Sequence, residues 1–186
     1  MNRVSFTFGY VNSCFKEGEP MTNITVEKKA REILEKYGLE ESVPVDPIKI
    51  ANANGIEVKN AIFKSEDICG ILHKKDGKTT IYVNQKDSGN RKRFSIAHEL
   101  GHYFLHHEND NNAFIVELRT NNNNGGQDLQ KEKEANAFAA ALLMDEVLVR
   151  SVWHDLRSIQ AAAEIFDVSY ESMSYRLNNL GLLAVS

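Results

Sequence analysis

Residues 69–107 read CGILHKKDGKTTIYVNQKDSGNRKRFSIAHELGHYFLHH, and two different periods meet inside them. CGILHKK (69–75) and TTIYVN (79–84) are extended runs rich in Ile, Val and Tyr. They flank Asp76-Gly77, the dipeptide that best accepts the positive φ of a tight hairpin turn. From about Ser88 the apolar residues return to helical spacing and keep it through His107. A hairpin followed at once by a long helix points to a chain of mixed class.

Working outward, IEVKNAIF (56–63) is a third extended run. Before it, TVEKKAREILEKYG places Val26, Ala30, Ile33 and Leu34 at helical spacing, with Thr25 or Asn23 as cap and Gly38 as the stop. VDPIKIANANG reads as a short helix with Pro47 in its first turn and Gly55 just past its end. On the other side, NDNN (109–112) and NNNNGG (121–126) bracket AFIVEL (113–118), a long connection holding one extra strand. Helical period resumes at Leu129 through KEKEANAFAAALLM, then in DLRSIQAAAEIF and VSYESMSYRLNNLG. The expected fold is α+β: a small, mostly antiparallel sheet packed on a helical bundle, with helices at about 88–107, 129–144 and 155–182. The last of these form a helix-turn-helix-like pair around Asp167-Val168-Ser169, with Ser169 as cap. Residues 23–186 make one domain, and residues 1–22 an N-terminal extension to which the sequence assigns no role.

The chain has 186 residues, 42% hydrophobic and 26% charged, with 22 basic against 26 acidic side chains and a net charge of -4. Collagen-like, disordered and disulfide-scaffold classes are excluded. The longest apolar run, Ala137 to Met144, is far short of the ~20 residues that span a bilayer, so no membrane partner is expected. No signal peptide is read in the first twenty residues, and two cysteines, Cys14 and Cys69, are too few for a disulfide framework. A cytoplasmic location is expected. The acidic balance gives no reason for strong binding to nucleic acid, which needs clustered Lys and Arg.

Chemistry enters at His98-Glu99-Leu100-Gly101-His102, an H-E-x-x-H inside the long helix. At 3.6 residues per turn, His98 and His102 lie about 40° apart on one face and both reach a single ion. Glu99 cannot share that ion in this geometry, and it stands where zinc peptidases carry their general base. With six histidines and seventeen glutamates, a chance match anywhere in the chain has odds of roughly one in fifty. A catalytic zinc needs a third ligand. Leu105 and Glu108 occupy the places where an extended H-E-x-x-H pattern would carry Gly and His, so the ligand comes from elsewhere. The helix at 129–144 offers Glu132 and Glu134, which are about 200° apart, so only one faces the ion. Glu134 shares a face with Phe138 and Ala141 and is the expected ligand. His106, His107 and His73 are read as surface residues, while His154 could reach the site from the C-terminal helices, though nothing in its spacing requires it. An oxyanion or substrate donor is also expected, with Tyr82, Asn84, Arg93 and Tyr103 as candidates. The backbone at TTIYVN either offers an edge on which an extended peptide could add a strand or lies wholly inside the sheet.

FSIAHELGHYFLHH, preceded by IYVN and Arg93 and followed by EKEANAFAAALLM and IQAAAEIFDVSYESMSYRLNNLGLL, resembles the ImmA/IrrE family of bacterial and phage-encoded metallopeptidases over roughly residues 23–182. The resemblance implies one zinc ion per chain on His98, His102 and Glu134, with Glu99 as base. It also implies a protein substrate, a helix-turn-helix repressor or an antitoxin. The sequence departs from the family pattern at Asp145, where Pro is usual, and at Ser95, where Thr is usual; Asp145 is placed to cap a following helix. Two other classes of function are weighed. A DNA-binding module would read its site with the last helix, but that helix offers only Arg176 as a cation. A metal-binding regulatory component without turnover would not need Glu99.

Overall fold

Helix α1 (Asn23–Lys36) begins at Thr22, whose hydroxyl accepts the N–H of Thr25, so the cap lies just before the residues expected for it. It ends as expected at Gly38, with φ 64, where Leu39 N–H returns to the Leu34 carbonyl at 2.9 Å in a Schellman closure. In the short helix α2 (Pro47–Ala53), Asp46 accepts from Ile48 N–H and Pro47 takes the first position, where no amide proton is needed. This chain is described from a computed structural model over residues 22–106, 114–118 and 127–183. Residues 1–21 of the N-terminal extension, His107 and both Asn-rich stretches lie outside the described residues.

Strands β1 (Ile56–Ala61), β2 (Ile68–Lys75) and β3 (Lys78–Asn84) form the sheet with β4 (Phe114–Leu118), in the order β1-β3-β2-β4. Asp76 and Gly77, with φ 51 and 74, close the β2–β3 hairpin in the expected turn. Two pairings are antiparallel, β2 with β3 and β2 with β4, while β1 runs parallel to β3 with Ile56 opposite Thr79. β3 is therefore interior and both its edges are paired. Of the two readings of TTIYVN the internal one holds: among the described residues the outer strands are β1 and β4.

Helices α3 (Gly89–His106), α4 (Gln127–Leu143), α5 (Glu146–Leu156), α6 (Ile159–Phe166) and α7 (Tyr170–Asn179) complete the α+β fold. Sequence reading ran 155–166 together as one helix. The structure instead ends α5 at Arg157, in the left-handed region at φ 49, and restarts α6 from Ser158, which caps Ala161 N–H. Asp145 caps α5 as anticipated, accepting from Val147 and Leu148 N–H. The α6–α7 pair turns at Asp167 and Ser169, again as expected.

The core lies between the sheet and the helices. Leu72, Ile81 and Val83 of the sheet meet Ile96, Ala97 and Leu100 of α3, and Phe138 and Leu142 of α4 extend the cluster. Removing the Phe138 ring alone would cost about 3–5 kcal/mol. Two ion pairs tie α1 to the C-terminal half. Arg31 meets Asp145 at 2.9 Å, and Arg176 of α7, 4% exposed, grips both carboxylate oxygens of Glu27 while donating to the Met144 carbonyl. Arg176, the cation that a DNA-reading helix would have to present, is turned into the protein.

Candidate metal centre

The periodicity of α3 buries one long stripe, and the histidines stand on it one turn apart. Their rings are 1% and 2% exposed, and the two Nε2 atoms lie 3.0 Å from each other. Helix α4 crosses this stripe very closely. A Cβ on Gly101 would stand 2.9 Å from Ala135 Cα and 3.0 Å from its carbonyl oxygen, a separation no side chain tolerates. The glycine inside the H-E-x-x-H is thus what lets the two helices touch at Ala135.

That contact settles which residues of α4 look at the histidines. Glu132, Ala135, Asn136 and Ala139 fall within roughly 100° of one another around the helix. Glu132 Oε1 lies 3.1 Å from His102 Nε2, and its Oε2 lies 3.3 Å from His98 Nε2. Among the described residues, His98, His102 and Glu132 form the cluster whose ligand atoms all lie within 4.8 Å of one another.

Glu134, the expected third ligand, is not in this cluster, and Glu132 takes the place assigned to it. The physical reason is that α4 is buried on two sides, against α3 and against α1. Phe138 and Ala141 lie on a buried flank of α4 about 120–180° round the helix from Glu132, so sharing their face did not mean facing the histidines. Glu134 is 4% exposed and accepts from Gln130 Nε2 at 2.8 Å.

Asn136 was also missed. His98 Nδ1 donates to its Oδ1 at 3.0 Å, which fixes the imidazole with its lone pair at Nε2, toward Glu132 and His102. Burial would raise the Glu132 carboxyl, but when the rings carry protons on Nε2 the hydrogen bonds from His102 and His98 outweigh it and pull the group down to about 2. With those protons given up, the donor set is two imidazole nitrogens and an ionised carboxylate, which fits a divalent metal with a position left for another ligand. The Glu132 side chain is 27% exposed, so the cluster opens to solvent on that side. Glu99, on the same helix, is fully buried.

The other candidates have different work. Asn84 is 3% exposed and pins the hairpin, donating to the Ile68 carbonyl at 3.0 Å and accepting from Lys86 N–H at 3.1 Å. Arg93 donates to the carbonyls of Val45 and Asp167 and pairs with the Asp167 carboxylate at 3.0 Å, holding the α6–α7 turn against α3. These bonds make both residues ties within the fold, and neither belongs to the ligand cluster. Tyr82 sits beside His73 on β3 and β2, with ring centroids 6.5 Å apart, outside the ligand cluster. Tyr103 packs on Phe104 and lies under Lys74 Nζ, again outside it. His154 is exposed and pairs with Asp155, outside the ligand cluster, and His73, expected at the surface, is half-buried.

A helix bearing two histidines one turn apart, met by a carboxylate from the next helix and carrying a glutamate between them, is the arrangement of a metallopeptidase. The model of the peptidase M78 family, described as an IrrE N-terminal-like domain, matches residues 51–178, and the chain belongs to that family. No curated protein matches it. The match contains the whole sheet, both helices of the metal centre and most of α7.

Proposed function

We propose that the protein is a zinc-dependent endopeptidase acting on a protein substrate, a helix-turn-helix repressor or an antitoxin. The observation that carries the peptidase reading is the convergence of His98, His102 and Glu132, with Glu99 buried on the same helix. Two imidazoles and a carboxylate suit zinc, which when bound supplies the Lewis acidity that polarises a peptide carbonyl and acidifies a water.

The chain's own residues do the rest. Asn136 holds the His98 ring in one tautomer, and Glu132 brings the negative charge that a dication needs. Glu99 accepts the proton of the attacking water on a carboxylate oxygen and passes it to the leaving amine. Its burial keeps that proton from bulk solvent. The choice of substrate follows the resemblance to repressor-cleaving relatives, and a cytoplasmic site of action goes with it. Among the described residues no helix is long and apolar enough to cross a membrane. The inward turn of Arg176 counts against a DNA-binding role for α7.

The test is incubation of the zinc-loaded protein with the regulator encoded beside its gene, with products read by intact mass. One specific cut is expected, slowed by about a hundredfold or more in Glu99→Gln, which should retain its metal. An uncut regulator despite one bound metal per chain would contradict the assignment.

A further inference from the structure

Away from the metal centre, α1, β2 and the last turn of α3 enclose a cleft of about 440 Å³. Lys29, Ile33 and Lys36 enter it from one face of α1, Lys74 from β2, and Tyr103 and Phe104 from α3. Its volume is that of a ligand pocket, for which roughly 300–1,000 Å³ is usual.

The sign of its charge is unlike that of the chain. Among the described residues three lysines line it against one acid, Glu32, in a protein of net charge -4. Glu32 also has an ion-pair partner away from the cleft, Lys28 at 3.9 Å. Lys29 and Lys74 are half-buried. Lysine side chains along a partly apolar cleft attract an anion placed among them.

The floor is apolar and firmly held. Tyr103 and Phe104 pack edge to face with centroids 5.1 Å apart, and Phe104 rests on Phe138 of the core at 5.9 Å. Lys74 Nζ lies 5.0 Å above the Tyr103 ring, so one cation is fixed directly over the floor. Tyr103 is also the residue after His102, so the cleft and the metal centre share α3. Lys29, Ile33 and Lys36 lie outside the stretch matched by the family model.

We propose that this cleft docks an acidic stretch of the polypeptide substrate, taking carboxylates among Lys29, Lys36 and Lys74 and an apolar side chain on Tyr103 and Phe104. That the occupant is substrate rests on the peptidase reading; the sign of its charge and its apolar component rest on the cleft alone.

The experiment measures fluorescence anisotropy of a short labelled peptide of Glu-Phe-Glu-Ser repeats, and of its counterpart with Gln for every Glu, on the zinc-loaded Glu99→Gln protein. The acidic peptide should bind at least roughly tenfold more tightly than the Gln peptide, and weaken as salt rises. Lys36→Gln with Lys74→Gln should remove that preference, while Lys49→Gln, an exposed lysine outside the cleft, should leave it intact. Circular dichroism on each variant reports whether the fold is kept. Equal binding of the two peptides, or a preference that survives loss of both lysines, would overturn the proposal. So would competition by free 3-phenylpropionate at the peptide's own concentration, which would identify a small-molecule pocket. If the acidic peptide binds through the lysines but wild-type protein cleaves no protein, the docking site stands and the peptidase reading fails.

Discussion

Two buried polar clusters in this molecule look alike in composition and differ in kind. Around Arg176, a guanidinium meets the Glu27 carboxylate and the Met144 carbonyl, so its donors are matched by acceptors from the protein itself. Around His98 and His102, two ring nitrogens and a carboxylate point at one another, and all three are electron-pair donors once the imidazoles are neutral. The first cluster is complete and holds α7 to α1. The second is a set of ligand atoms within 4.8 Å of one another, the arrangement that fits a divalent cation. Burial of charge does not by itself distinguish structure from function; the chemistry of the groups brought together does.

The sharpest way to break this contrast is to remove one partner from the closed cluster. Glu27→Ala leaves the Arg176 charge without its carboxylate and should cost about 3 kcal/mol of unfolding free energy in urea, with metal content unchanged. The double replacement Glu27→Leu with Arg176→Met should recover most of that loss. A Glu27→Ala protein as stable as wild type would show that the pair holds nothing together.

Asn136→Ala probes the open cluster one step out from the ligands. It frees the His98 ring to rotate or change tautomer and should weaken metal binding by about 10–100-fold in a chelator competition, leaving urea stability nearly unchanged. A large stability loss with unchanged metal affinity would make Asn136 a core residue and nothing more.

The smallest expected effect is at Asp145, which caps α5 and pairs with Arg31. Asp145→Ala should lower stability by about 1 kcal/mol, with no change in metal binding. Loss of metal in that variant would mean that the end of α4 is held through Asp145.

Much of this was readable before any coordinates. The hairpin at Asp76-Gly77, the stops at Gly38 and Gly55, the H-E-x-x-H helix and the turn at Asp167 all depend on local chemistry, which the chain states residue by residue. What escaped depends on which surfaces meet. Nothing local says that β1 lies parallel beside β3, because the connection skips a strand. Both α5 and α6 needed the left-handed break at Arg157 to be separated. The choice between Glu132 and Glu134 turned on which buried face of α4 meets α3. A signal for it was present in Gly101 and in Ala135 and Ala139: small residues on two helices mark the line of closest approach, and Glu132 lies on that line. The bonds that Arg93 and Asn84 make to distant carbonyls were not legible, because a polar residue near a motif looks the same in sequence whatever it reaches in the fold.

Metal content and affinity of Glu132→Ala beside Glu134→Ala, by elemental analysis and titration with zinc, test the central claim most directly. The structure predicts that Glu132→Ala loses its zinc while Glu134→Ala keeps about one ion per chain with affinity close to wild type. Zinc retained without Glu132 and lost without Glu134 would contradict the assignment and return the third ligand to the residue two positions on.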